Sequence, residues 1–219
     1  MSSEKYLQFL ENILQLSTER LEATLNIMTT CNRATREGYN GSREANTVMQ
    51  LSHELIGNGW NVWLEYDKCH EAGVNANRID LIAINDLEKR VLISEFKRMP
   101  NACYARTCSN DIHRIFIDLP VLPPCYQQKY VGYDIATMVV IQTSNNRLSD
   151  GWKDLDFNCG RSQGWNDLRN TLTTLGGTRK KIDYSTVSLE NNVTIDEHML
   201  WAIRIQNKKQ REKENRFEI

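Results

Sequence analysis

Residues 78–97 read RIDLIAINDLEKRVLISEFK, two apolar runs separated by a short polar segment. Both runs are rich in aliphatic and β-branched residues, which predicts two strands, and Asn85-Asp86 supplies turn chemistry between them. The turn Asn85 to Lys89 lies near the midpoint between Asp80 and Glu95. An antiparallel hairpin would therefore place their side chains opposite each other, with Cβ atoms about 5 Å apart. The two-residue alternation of a strand adds Lys97 to the same face.

Two facing carboxylates in an otherwise apolar sheet need a counter-charge. Burying a charge is costly unless it is paired or bound to metal, so the pair Asp80 and Glu95 predicts a bound cation. Oxygen ligands of this kind suit Mg²⁺, which binds one or two carboxylates and keeps several waters for substrate phosphate. Lys97 would then lie beside a metal-bound water, where an ammonium can orient that water and offset phosphate charge.

A helix before the strands offers a third carboxylate. Its predicted range is Arg43 to Ile56, ended by Gly57-Asn58-Gly59. Four of its residues share one face at steps of four, three and four: Glu44, Val48, Leu51 and Leu55. We expect this stripe to pack on the sheet and to direct Glu44 toward it, whereas Glu54 lies on a different face and is expected to meet solvent.

Asp80, a hairpin turn and then Glu95-Phe96-Lys97 resemble the D…(D/E)xK signature of the restriction-endonuclease-like phosphodiesterases. Glu44 resembles the glutamate that many members carry on the preceding helix. The resemblance covers roughly Arg43 to Thr143, where the predicted order is a helix, a three-strand meander, a helix and a fourth strand, as in the core of that family. The sequence departs from the pattern at Ile79, where the family often has proline.

The resemblance implies Mg²⁺-dependent hydrolysis of phosphodiester bonds in nucleic acid, with DNA as the expected substrate and Mn²⁺ as a substitute ion. By carry-over, Asp80, Glu95 and the carbonyl of Phe96 would be metal ligands, Lys97 would position the water, and Glu44 would be an accessory ligand. The implied fold is α/β, with a restriction-endonuclease-like core, a central mixed β-sheet flanked by helices, and an N-terminal helical extension. By analogy with the fold alone, a core of this size also suggests a homodimer.

Two other interpretations stay open. Asp80, Glu95 and Lys97 could form a solvated charge cluster on an exposed sheet edge, although the apolar residues around them favour a strand pair covered on both faces. The alternative function is a non-enzymatic nucleic-acid-binding or regulatory protein on the same fold. The intact Asp/Glu/Lys set disfavours it, because an abandoned site is expected to lose at least one of these groups.

Length and composition limit the class of protein. The chain has 219 residues, of which 40% are hydrophobic and 25% charged, as in ordinary globular proteins. Its 27 basic and 28 acidic residues leave a net charge of −1, so no global charge attracts nucleic acid or membrane. No apolar stretch approaches the ~20 residues of a membrane span. The N-terminus has no signal-like segment, so we expect a cytoplasmic protein.

We expect one domain over residues 1–219. It would comprise the helical extension 1–37, the core 43–143 and a C-terminal part 144–219. The predicted elements beyond the hairpin are a helix over Asp111 to Leu119, a strand over Thr137 to Thr143, a loop-rich region from Asn145 to Gly164, a helix over Trp165 to Leu175 and a last strand over His198 to Ile205.

Basic residues cluster locally in two places. Arg179, Lys180 and Lys181 follow Gly176-Gly177 without interleaved acids, which predicts a phosphate-binding turn. The tail from Asn207 to Glu218 mixes both signs of charge and is interpreted as a solvated helix end.

Cysteines and histidines give weaker candidates. Cys103, Cys108, His113 and Cys125 are ligand types found at zinc sites, but their spacing is looser than in a zinc knuckle, and we predict no structural metal there. Nothing orients Cys69-His70 as a nucleophile and its base, because adjacent residues of a strand point to opposite faces.

Overall fold

A computed structural model describes residues 2–30, 43–67, 78–99, 104–116, 129–156, 163–188 and 193–206. The helices are α1 (Ser3–Thr30), α2 (Arg43–Gly57), α3 (Ala105–Phe116), α4 (Asn146–Gly151) and α5 (Gln163–Leu175). The strands are β1 (Asn61–Asp67), β2 (Arg78–Asn85), β3 (Arg90–Arg98), β4 (Asp134–Thr143), β5 (Thr178–Ser188) and β6 (Val193–Gln206).

The strands form one mixed sheet of six strands in the order β1-β2-β3-β4-β6-β5. β3 and β4 run parallel, and every other neighbouring pair is antiparallel. A parallel pair needs a crossover connection, and α3 lies in the segment that joins β3 to β4. The predicted α/β class and its mixed, helix-flanked sheet are confirmed at this level.

Helices cover both faces of the sheet, so the core has two layers. One layer packs α3 and α5 against the side chains of Val91, Ile93, Val139, Ile141, Leu200 and Ala202. We call this side the crossover face. The other layer packs α1 and α2 against the alternate residues Leu92, Phe96, Met138, Val140, Trp201 and Ile203. We call this side the N-terminal face.

The N-terminal helices follow from their apolar spacing. In the predicted helical extension 1–37, residues Ser3–Thr30 form α1, which has no Pro or Gly and buries Tyr6, Leu10, Ile13, Leu14, Leu21 and Leu25. In α2 the stripe Val48, Leu51 and Leu55 packs into the same layer, as the spacing predicts.

Three elements differ from expectation. α3 begins at Ala105, six residues earlier than predicted. The loop-rich region contains the short helix α4, whose N-cap residue Asn145 accepts a hydrogen bond from the backbone N–H of Leu148 at 3.2 Å. Arg179, Lys180 and Lys181 belong to strand β5 and not to a turn.

Gly176 and Gly177 make the turn that precedes β5, with φ angles of 69° and 87°. β5 is an edge strand with many polar side chains, and such strands give a weak periodicity signal.

Some predictions concern residues outside the described ranges. These are the Cys69-His70 pair, the zinc candidates Cys103 and Cys125, and the tail after Gln206. In the part of the chain that the structure describes, no helix combines the length and the apolar character needed to cross a bilayer.

Gly177→Ala should lower the free energy of unfolding by at least about 2 kcal/mol. A Cβ at this position would lie 2.2 Å from the carbonyl oxygen of Ile203, and the positive φ adds strain for any L side chain. Gly57→Ala is the matched control, because a Cβ there meets nothing within 4 Å. Urea unfolding of both variants measures the difference. Equal stabilities would contradict the close approach.

Candidate active site

The hairpin of β2 and β3 brings the predicted carboxylates together. Its last facing pair is Leu81 and Ser94, so the next residues along the two strands are Asp80 and Glu95. The backbone N–H of Phe96 donates to Oδ2 of Asp80 at 2.7 Å, which fixes this carboxylate against β3. The predicted antiparallel pairing of the two strands is therefore confirmed.

Lys97 lies between two carboxylates. Its Nζ is 2.5 Å from Oε1 of Glu95 and 3.4 Å from Oδ2 of Asp111. The ion pair with Glu95 confirms that both side chains lie on one face, which is the crossover face. Glu95 is only 2% exposed, whereas the side chains of Lys97 and Asp111 are 19% and 26% exposed. The cluster therefore reaches solvent on the side of Lys97 and Asp111.

Asp111 is the member of this cluster that the sequence interpretation missed. It lies on α3, one turn after the buried Cys108 and beside the buried Ile112. An acidic residue next to the inward stripe of a crossover helix was the available signal, because such a helix packs over the strand that it leaves. The D…(D/E)xK signature contains only strand residues, so it gave no information about a residue on α3.

Burial and the neighbouring carboxylates determine the electrostatics of the cluster. Burial, and then the charge of Asp80, raise the pKa of Glu95 to about 8, although Lys97 acts in the opposite direction. Burial alone would lower the pKa of Lys97, but Glu95 and the other carboxylates raise it above its ordinary value. Asp80, Glu95 and Asp111 all act on the Lys97 ammonium, and Asp80 and Asp111 both disfavour the charged form of Glu95.

Oε2 of Glu95 is the carboxylate oxygen of the cluster whose environment points to a missing partner. It is buried, and among the described residues no donor forms a hydrogen bond with it. Leaving a buried acceptor without a partner costs about 1–3 kcal/mol, and more for a charged group. A cation or a proton at this oxygen would remove that cost.

The donor set fits a hard divalent cation with few protein ligands. In the described ranges, no group of three or more His, Cys, Asp or Glu side chains is arranged to hold a metal ion. Asp80 and Glu95 together would supply two carboxylates, and Mg²⁺ commonly binds one or two while keeping its waters.

Glu44 lies in the first turn of α2, and its side chain is outside the described part of the structure. α2 packs on the N-terminal face, whereas Glu95 and Lys97 lie on the crossover face. The accessory role of Glu44 stays a prediction. So does the role of the Phe96 carbonyl, because the described contacts of Phe96 involve its N–H and its buried ring.

The expectation that Glu54 meets solvent is wrong. Glu54 is 7% exposed, and its Oε1 lies 2.5 Å from Nε of Arg20. The reason is that α1 packs beside α2 on the N-terminal face, and its Arg20 binds Glu54. Periodicity within α2 carries no information about this second helix.

Arg179, Lys180 and Lys181 do not form one basic surface. Nε of Arg179 donates to the carbonyl of Lys153 at 3.2 Å, and Nζ of Lys181 donates to the hydroxyl of Ser149 at 3.2 Å. Lys180 points to the other face of β5, where it pairs with Glu11 at 2.6 Å. The alternation of a strand separates the residues that a turn would have grouped, which corrects the predicted phosphate-binding turn.

Arg179 nevertheless lies level with the carboxylate cluster. It faces Ala202 on β6, and Ala202 faces Val139 on β4. Val139 in turn lies beside Glu95 on β3. Three strand spacings place the backbones of Arg179 and Glu95 roughly 14 Å apart on one face.

Two surface cavities lie away from the cluster. One, of about 470 Å³, includes Asp183, Asp196 and His198 in its lining. The other, of about 530 Å³, is lined by Arg147, Asp150, Gly151, Asp154 and Asp156. Both linings are rich in carboxylates, which disfavours phosphate groups there.

Comparisons with profiles of known protein families, with curated proteins and with solved structures found no match. The chemistry assigned to the cluster therefore rests on its own geometry.

Without divalent ions, the free energy of unfolding should fall as pH rises from about 5 to 8, by up to about 1 kcal/mol per pH unit. Because the pKa of Glu95 is raised, the folded protein still holds a proton at pH values where the unfolded chain has released it. The stability that this proton contributes is fully present below the pKa of the unfolded state and is lost as pH rises through the pKa of the folded state.

Glu95→Gln keeps the uncharged form at every pH, so its stability should vary less with pH over this range. Urea unfolding in EDTA at several pH values measures both slopes. Identical slopes in the two proteins would contradict the assignment to Glu95.

Proposed function

We propose that this protein is a metal-dependent nuclease of the restriction-endonuclease-like type, which hydrolyses phosphodiester bonds in nucleic acid, with DNA as the expected substrate. The observation that carries the proposal is the buried Glu95. Its Oε2 has no hydrogen-bond donor among the described residues, and burial and the neighbouring charge of Asp80 disfavour its ionised form.

Asp80 and Glu95 are the residues that would hold Mg²⁺ or Mn²⁺. The bound ion would lower the pKa of a water and stabilise the negative charge that develops on the phosphate. Asp80 is oriented for this task by the N–H of Phe96, and Glu95 by its position on a strand covered on both faces. Both carboxylates are therefore preorganised before any ligand arrives.

Lys97 would act on the attacking water and on the phosphate. As an ammonium it has three donors and no acceptor, so it does not ligate the metal. Its partly exposed side chain reaches from the buried Glu95 toward solvent, where a phosphate would approach. There it can orient the nucleophile and offset the phosphate charge, effects that are largest in the transition state.

The topology supports the proposal only by analogy. α2, the meander of β1, β2 and β3, then α3 and the parallel strand β4 follow the order expected for this nuclease core. Many functions share each common fold, so the assignment depends on the site and not on the layers. A homodimer, which would present one such site to each strand of a duplex, belongs to the same proposal.

One observation favours the non-enzymatic alternative. Oε1 of Glu95 already binds Lys97, and Oδ2 of Asp80 already accepts from Phe96. A site satisfied in this way could hold the strands together without turnover. Activity assays separate the two functions.

Hydrolysis of DNA should require a divalent ion, and Lys97→Ala should lower the rate by about 100-fold or more while changing metal affinity much less. Asp80→Ala removes a metal ligand, so high Mg²⁺ or Mn²⁺ should partly restore its activity but not that of Lys97→Ala. Cleavage assays on duplex, single-stranded and branched DNA across ion concentrations measure this. Lys5→Ala, an exposed lysine of α1, is the control.

A wild-type protein that cleaves none of these substrates and shows no calorimetric binding of Mg²⁺ or Mn²⁺ would replace this proposal with the non-enzymatic alternative.

A further inference from the structure

Asp111 supplies a second acceptor for the Lys97 ammonium. Nζ of Lys97 lies 2.5 Å from Oε1 of Glu95 on its own strand and 3.4 Å from Oδ2 of Asp111 on α3. The two acceptors thus come from different elements, one from the sheet and one from the helix that crosses over it. Asp111 also adds to the negative charge that Glu95 experiences.

A divalent cation at Glu95 would repel this ammonium. Mg²⁺ at Oε2, the oxygen without a donor among the described residues, would lie about 2.1 Å from that oxygen. Nζ of Lys97 lies 2.5 Å from Oε1 of the same carboxylate. Two positive charges on one largely buried carboxylate repel each other strongly. Lys97 therefore turns away from Glu95 when an ion binds.

Asp111 is placed to receive Lys97 after that turn. Because Nζ is already 3.4 Å from Oδ2 of Asp111, a small rotation of the flexible lysine stem closes the second ion pair. Lys97 thereby keeps a charged partner in a partly buried site and stays beside the reaction centre. The alternative, an ammonium left without a partner at 19% exposure, would cost free energy.

We propose that Asp111 is a positioning residue that takes over Lys97 from Glu95 when a divalent cation binds, so that helix α3 controls the loading of the site. This inference rests on the proposed function, because it requires a cation site at Asp80 and Glu95. In the ion-free protein, the ion pair between Lys97 and Glu95 opposes cation binding. Asp111 itself does not ligate the ion.

The proposal predicts a specific coupling between two substitutions. Asp111→Asn removes the negative charge that attracts Lys97, keeps Lys97 on Glu95 and should weaken Mn²⁺ binding about 5- to 10-fold. Lys97→Met removes the competing ammonium and should strengthen Mn²⁺ binding. In the Lys97→Met background, Asp111→Asn should change the dissociation constant by less than about 2-fold, because no lysine remains to be positioned.

Titration calorimetry with Mn²⁺ on the full-length wild type, the two single variants and the double variant measures this cycle at one pH and ionic strength. Asp167→Asn is the matched control. Asp167 lies on the neighbouring helix α5, its side chain is 27% exposed against 26% for Asp111, and it pairs with Arg106 at 3.5 Å. This variant should bind Mn²⁺ like wild type, and near-ultraviolet circular dichroism verifies that every variant is folded.

Each result decides the question. An unchanged affinity in Asp111→Asn overturns the inference while leaving the nuclease proposal intact. If Asp111→Asn lowers Mn²⁺ affinity equally in the wild-type and Lys97→Met backgrounds, Asp111 acts as a direct ligand or as a remote charge. This result also overturns the inference. Absence of Mn²⁺ binding in wild type and in Lys97→Met overturns the cation site and the inference together, so the two failures are distinguishable.

Discussion

Strand β3 is covered on both faces, and the other features of the molecule depend on this constraint. Its residues from Arg90 to Phe96 are all buried, with one set of side chains under α3 and α5 and the alternate set under α1 and α2. A charged side chain on this strand is therefore stabilised mainly by partners within the protein. Arg90 does so over the ring of Tyr6 and against Glu88, and Glu95 does so against Lys97.

Glu95 is costly in a purely structural role. One of its oxygens binds Lys97 on the same strand, and the other has no donor among the described residues. Apolar neighbours such as Ile93 stabilise the sheet without that cost. A positive ion or a proton at the second oxygen would offset the cost, and this is the property that the proposed phosphodiesterase site requires.

The parts of the fold that depend on local periodicity could be predicted from the sequence. The hairpin register, the helix α2 with its stripe of Val48, Leu51 and Leu55, and the common face of Glu95 and Lys97 all depend on residues close together in the chain.

The errors came from contacts between distant segments. Glu54 is buried because α1 covers it, Asp111 joins the site because a crossover helix returns over β3, and β5 forms because β6 pairs with it. Residue spacing within one helix or strand cannot predict these contacts, because each joins two different elements.

α1 contacts residues that lie far along the chain, and this affects folding. Glu11 binds Lys180 across a sequence separation of 169 residues, and Glu22 accepts from the backbone N–H of Ser185 across 163. During synthesis, α1 thus emerges long before the hairpin of β5 and β6 that it packs against. Until β5 and β6 are synthesised, the apolar side of α1 has only α2 and the early strands to cover it. High contact order of this kind slows folding, and it gives chaperones a period in which to bind the nascent chain.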